Sequence, residues 1–132
     1  MADPSARQVM LVDDEPVVLD ALERLLTLWG YNTLPFQRFE DARSALALES
    51  PDALIVDIRL GEFNGLQLVH LAKQSNPDMT IVVVSGFDDP VLRHEAAQAG
   101  AVYLLKPAEL PRLKEYLPSP IKSGPEVHGP YS

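Results

Sequence analysis

Short apolar runs in this chain stop repeatedly on polar residues of the kinds that do chemistry. Val9-Met10-Leu11-Val12 gives way to Asp13-Asp14-Glu15, and Ala53-Leu54-Ile55-Val56 runs into Asp57. Thr80 to Val84 ends at Ser85-Gly86, and Ala101 to Leu105 ends at Lys106-Pro107. If Asp13, Asp14 and Asp57 are drawn together they repel one another, because like charges at close range push one pKa up unless a cation compensates. Lys106 is one positive charge against these acids. A hard divalent cation held by carboxylate oxygens, a backbone carbonyl and waters balances the rest, and Mg²⁺ favours such a partly hydrated site. Mg²⁺ on carboxylates with open positions invites a phosphoryl group, and a carboxylate can itself be the nucleophile, forming an aspartyl phosphate. Asp57, central among the other acids and Ser85, is the candidate nucleophile. Asp14 is expected to hold the metal directly and Asp13 through water. Lys106 and Ser85 are expected on the phosphoryl oxygens, which carry the charge in the transition state.

The segments between these residues alternate in period. After Asp13-Asp14-Glu15 comes Pro16, favoured in the first turn of a helix where its missing N–H costs nothing. Val17, Val18, Ala21, Leu22, Leu25, Leu26 and Trp29 then recur at helical spacing, and Gly30 sits where a helix ends. Tyr31 to Phe36 is a weak strand. Ala42, Ala45, Leu46 and Leu48 mark a second helix, ended by Ser50-Pro51-Asp52. Leu66, Leu68, Val69, Leu71 and Ala72 mark a third, closed by Asn76-Pro77, and Val91, Leu92, Ala96, Ala97 and Ala99 a fourth, stopped by Gly100. A last short helix carries Pro111, Leu113, Tyr116 and Leu117.

Strand-then-helix units in alternation imply an α/β fold, a parallel sheet with helices on both faces. Right-handed crossovers leave few topologies, and the expected one is a doubly wound five-stranded, flavodoxin-like sheet of order 2-1-3-4-5. Ligands bind such sheets at the carboxyl ends of the strands, where the order reverses. That point lies between the first and third strands, so the acids, Ser85 and Lys106 should meet there. Residues 1–7 read as an N-terminal extension, 8–117 as the domain and 118–132 as a tail or linker with four prolines and two glycines.

Composition narrows the class. The chain has 132 residues, 46% of them hydrophobic, and no cysteine, which excludes disulfides, Cys-based zinc sites and thiol chemistry. Its net charge of −8 disfavours phosphate-backbone contacts, so no direct nucleic-acid binding is expected. No apolar run approaches the roughly 20 residues that span a bilayer, and the first residues lack the apolar core of a secretory signal. A cytoplasmic protein with no membrane contact is expected.

The strand-end motifs Leu11-Val12-Asp13-Asp14-Glu15, Ile55-Val56-Asp57, Val84-Ser85-Gly86 and Leu105-Lys106-Pro107, in this order and spacing, resemble the receiver domain of two-component response regulators over about residues 8 to 117. Gly65 also falls where that family places a glycine. The resemblance implies a domain that takes a phosphoryl group from the phosphohistidine of a histidine kinase, or from a phosphotransfer protein, onto Asp57. Mg²⁺ would be bound by Asp13, Asp14, Asp57 and the main chain of Arg59. It implies self-directed chemistry rather than a turnover enzyme. It further implies a switch in which Ser85 moves toward the phosphoryl group and Tyr103 turns inward behind it, re-presenting the surface of the fourth helix and fifth strand to a downstream protein or to an output domain outside this chain. The tail fits a stand-alone receiver or a fragment with its linker, and both readings stay open.

Departures from the family pattern shape further expectations. Leu60-Gly61 replaces a frequent Met-Pro, and glycine is expected to loosen that loop. Arg59 and Phe87 are bulky and flank the site, so a long-lived phosphoryl group is expected. The short last helix puts in doubt a dimer built on the fourth-helix, fifth-strand and fifth-helix face. Taken singly, the residues have plainer explanations: Asp13-Asp14-Glu15 as helix-capping acids, Lys106 as a solvated lysine, Tyr103 as core, and His70, His94 and His128 without a role. Two other classes compete. An Mg²⁺-dependent phosphohydrolase would need a second acid where Arg59 stands. A phosphorylation-independent receiver-like interaction module would keep the shape without the chemistry.

Overall fold

The computed structural model describes residues 3–61 and 63–122. The elements follow in the order β1 (Gln8–Val12), α1 (Pro16–Leu28), β2 (Asn32–Phe36), α2 (Phe39–Leu48), β3 (Ala53–Asp57), β4 (Arg59–Leu60), β5 (Phe63–Asn64), α3 (Gly65–Ser75), β6 (Thr80–Ser85), α4 (Pro90–Gln98), β7 (Val102–Leu105) and α5 (Leu113–Tyr116). A single 3₁₀ turn, Leu110–Arg112, leads into α5.

Strand order in the main sheet is β2-β1-β3-β6-β7, all parallel. With the two-residue strands β4 and β5 set aside, this is the expected 2-1-3-4-5. Alternate residues of the central strands face opposite sides, and both sides are covered. Met10, Val12, Leu54, Val56, Ile81 and Val83 pack with Leu46 of α2, Leu68 and Val69 of α3, and Ala96 of α4. Val9, Leu11, Ile55, Val82 and Val84 pack with Leu19, Leu22 and Leu26 of α1 and Leu113 of α5. Burial on both faces is why these strands read as continuous apolar runs rather than alternating ones.

Helix ends follow local chemistry. Pro16 opens α1, and none of the preceding acids caps it by its side chain. Asn64 caps α3 by accepting from the Leu66 N–H at 2.8 Å, and Asp89 caps α4 through the Val91 and Leu92 N–H groups. Gly30 ends α1 at φ 101°, a conformation costly for any residue with a Cβ.

The structure adds to the sequence reading at four points. Helix α2 begins at Phe39, which is buried, so its core face extends further toward its start than Ala42. Val17 and Leu48 belong to apolar stripes in sequence but are 82% and 87% exposed, Val17 in the first turn of α1 and Leu48 as the last residue of α2. The loop after Asp57 contains a small antiparallel hairpin, β4 pairing β5 through Arg59↔Asn64 and Leu60↔Phe63. Finally, the tail does not simply leave the domain. Its first residues run back along the N-terminal extension, with Ala6 and Ile121 bridged antiparallel. Pro118 and Pro120 have no N–H to donate, and their carbonyls are used instead. The Tyr31 hydroxyl donates to Pro118 O at 2.5 Å, and the Arg7 N–H to Pro120 O at 2.7 Å. Residues 123–132 of the tail and 1–2 of the extension, with His128 among them, lie outside the described residues.

Candidate functional site

Sheet register delivers the site. Val12 pairs with Val56, so the next residues, Asp13 and Asp57, come side by side at the end of β1 and β3. Asp57 pairs with Val84, and Ser85 with Leu105, which sets Ser85 and then Lys106 along the same edge. The helix following Asp57 must approach closely. Gly65, the first residue of α3, donates its N–H to Ile58 O at 2.7 Å, and a Cβ there would collide with the Asp57 carbonyl oxygen.

Among the described residues the buried polar and charged ones are Asp13, Asp57 and Ser85, and all three are in this cluster. Burying charge is costly unless it is paired. Lys106 is the partner: its ammonium lies 3.0 Å from Asp13 Oδ2, 3.4 Å from Asp57 Oδ2 and 3.6 Å from Glu15 Oε1. Asp13 Oδ1 accepts from the Glu15 N–H, and Asp57 Oδ1 from the Arg59 N–H at 3.2 Å. Asp14 is exposed, and its Oδ2 accepts from the Gly61 N–H at 3.1 Å.

These partners do not neutralise the cluster. Burial first, and then the neighbouring Asp13 charge, push the Asp57 carboxyl above its ordinary range, although Lys106 opposes this. Burial alone would lower the Lys106 ammonium, but its hydrogen bond to Asp13 and the charges of Asp57 and Asp13 outweigh that and raise it. Oxygens of Asp13, Asp14, Glu15 and Asp57 lie within 4.8 Å of one another, so the set can hold a metal ion. All are hard carboxylate donors, the type suited to Mg²⁺ or Ca²⁺. An open cavity of about 170 Å³ is lined by Asp14, Glu15, Asp57 and Lys106 together with Arg59, Gly86 and Phe87.

Sequence reasoning picks out Asp13, Asp14, Asp57, Ser85 and Lys106, and the structure brings them together. It treats Glu15 only as a helix-start acid. The signal for Glu15 is its place as the third consecutive acid, and the fold adds its approach to Lys106. Tyr103, on β7, is already inside, 6% exposed, with its hydroxyl donating to Phe87 O at 2.7 Å. The Ser85 hydroxyl accepts from the Phe87 N–H at 3.1 Å. Thus the two expected switch residues grip the same residue, Phe87, one by its N–H and one by its carbonyl. On the outside, the Arg59 guanidinium stacks over the Phe87 ring, 4.9 Å from its centre, and Arg93 of α4 over the Tyr103 ring at 4.7 Å.

A doubly wound parallel sheet carrying an acid cluster, a hydroxyl and a lysine at its switch point defines a class of phosphoryl-accepting domains. The chain belongs to the response regulator receiver domain family, whose sequence pattern matches residues 9–118. It is 30% identical over 119 residues to the response regulator protein PilR of Pseudomonas aeruginosa, covering 89% of this chain and 27% of that protein. It is 32% identical over 110 residues to the transcriptional regulatory protein ZraR of Salmonella typhimurium, covering 83% of this chain and 25% of that one. The chain therefore spans about a quarter of these relatives. Among solved structures it is similar, with TM-score 0.79 and 27% identity, to a response regulator protein from Burkholderia pseudomallei that has a phosphorylated aspartic acid, a calcium ion and citrate. That similarity covers 86% of this chain and 67% of the other. The chain is a receiver domain with an acidic pocket of Asp13, Asp14 and Asp57 beside Lys106. Members of this family work with histidine kinases and output domains. Among the described residues no helix is long and apolar enough to cross a membrane.

Proposed function

We propose that Asp57 is the phosphoacceptor, taking a phosphoryl group from a phosphohistidine of a kinase or phosphotransfer protein. The observation that supports this best is Asp57 itself: a buried carboxylate at the centre of the cluster, facing an open cavity and 3.4 Å from Lys106. One carboxylate oxygen of Asp57 attacks phosphorus while the phosphorus–nitrogen bond breaks, and its electron pair stays on the imidazole. Lys106 stands to follow the phosphoryl oxygens and offset their charge. Mg²⁺ would be held by Asp13, Asp14, Asp57 and the Arg59 carbonyl, the acids among these being close enough to share one ion. When bound it would neutralise charge on the transferring group.

Ser85 and Tyr103 are the proposed switch. Their shared hold on Phe87 supports this, since a phosphoryl group that draws the Ser85 hydroxyl away frees the Phe87 N–H, and with it the partner of Tyr103. The readable surface is α4 and β7, and the receiving partner is a downstream protein or an output domain. Arg59 stacked on Phe87 supports a long-lived phosphoryl group, because the pair roofs the approach of an attacking water. Residues 8–117 remain the proposed receiver, with 3–7 and 118–122 as its clasp, and a cytoplasmic location is proposed with it.

Intact-mass measurement after incubation with a small phosphodonor, with and without Mg²⁺ and beside Asp57→Asn, tests the reading. A Mg²⁺-dependent gain of one phosphoryl group, absent from the variant, is expected. No gain with several donors would instead point to the phosphorylation-independent interaction module.

A further inference from the structure

We infer that the backbone amide of Gly61 is a positioning group for the metal-holding acid Asp14, an inference that rests on the metal reading above. Gly61 directly follows the two-residue strand β4, in the turn of the hairpin. The Arg59 N–H reaches Asp57 Oδ1 at 3.2 Å and the Gly61 N–H reaches Asp14 Oδ2 at 3.1 Å. Between them, Leu60 is 3% exposed and packs in the core, which anchors the segment from Arg59 to Gly61. Two amides of one short hairpin therefore hold carboxylates that come from different units of the main sheet, Asp57 at the end of β3 and Asp14 just after β1.

Asp14 needs such a hold more than its neighbours do. Asp13 and Asp57 are buried, and Lys106 pins both. Asp14 is exposed, and three other acids crowd its carboxylate. Without a donor the favourable course is to turn outward into water, away from the like charges. A hydrogen bond to an ionised carboxylate is stronger than one between neutral groups. With one oxygen so engaged, the other is free for a cation. Gly61 is suited to the task because it sits at φ 60° and still has an N–H. Proline could supply neither. Groups that orient a metal ligand in this way typically change affinity by about 10- to 100-fold when lost.

The test compares Mg²⁺ titrations, read by calorimetry, of the full chain, of Gly61→Asn, and of a semisynthetic chain in which the Leu60–Gly61 peptide is an ester. Asparagine keeps the N–H and tolerates a positive φ, so its Kd is expected within about twofold of the parent. The ester removes only the donor, and its Kd is expected to rise about tenfold. An ester chain that binds Mg²⁺ as the parent does overturns the role of Gly61 and leaves the metal reading standing. A parent that binds no Mg²⁺ overturns both. Should the ester chain fail to fold, ¹⁵N NMR of the parent decides. The Gly61 amide proton is expected to shift on Asp14→Asn and on Mg²⁺ addition, and an unmoved Gly61 resonance overturns the inference.

Discussion

The two ends of the sheet are built on opposite principles. At the carboxyl end of the strands, buried Asp13 and Asp57 share one lysine, and Asp14 and Glu15 crowd the same opening. At the amino end, the clasp of residues 3–7 on 118–122 uses no close ion pair across it; it is made of backbone hydrogen bonds. These include Arg7 N–H to Pro120 O at 2.7 Å and Lys122 N–H to Ser5 O at 2.8 Å, with the Tyr31 hydroxyl on Pro118 O. One end stores electrostatic tension that a bound cation would relieve. The other end stabilises the fold without chemistry. A domain that must tolerate self-repulsion where it reacts gains from a second end that is closed.

Lys106 is where the tension is held, so its removal should show the largest effect. Lys106→Met is expected to slow phosphorylation of Asp57 about 100-fold, followed as the rate of mass gain with a small phosphodonor. A rate within about threefold of the parent would deny it any part in the transfer. Next in size is the roof of the cavity. Arg59→Asn together with Phe87→Ala is expected to speed loss of the phosphoryl group about tenfold, and an unchanged lifetime in a decay assay would remove the pair from that role.

The closed end should respond in stability alone. Tyr31→Phe deletes one hydrogen bond of the clasp and is expected to cost about 1 kcal/mol in urea unfolding, with the phosphorylation rate unaltered. A change in rate instead would mean that the two ends are coupled, and the comparison would fail.

The smallest effect concerns pH in metal-free protein. The Asp57 carboxyl is raised by burial and by Asp13. A carboxyl raised on folding favours the folded state at low pH, and that contribution is lost as pH rises from the unfolded value through the folded one. In EDTA, Asp57→Asn is therefore expected to melt about 3 °C above the parent at neutral pH, with the gap closing below the ordinary carboxylate range. A gap that does not change with pH would refute the assignment of tension to Asp57.

Much of the reactive end is legible in the order of residues along the chain. Asp13, Asp57, Ser85 and Lys106 each follow an apolar run, and parallel pairing in register places run ends on one edge. Little of the closed end is legible there, because its bonds come from proline carbonyls and backbone N–H groups, which leave no pattern of side-chain types. The hairpin of Arg59–Leu60 with Phe63–Asn64 escapes for a related reason: strands of two residues are too short to show a period. Gly61 reads as looseness in the sequence, whereas its N–H is bound to Asp14.

Sequence alone determined the alternation of the main strands and helices and the polar types at the strand ends, since burial on both faces dictates unbroken apolar runs and their ends must be polar. It left the sheet order as one expected choice among few. Tertiary structure alone decided who touches whom: that Lys106 lies between Asp13 and Asp57, that Ser85 and Tyr103 meet on Phe87, and that the tail returns to Ser5–Arg7. Apart from the local Ser85–Phe87 bond, those contacts join residues far apart in the chain, and only the registered packing of the strands and helices sets the distances between them.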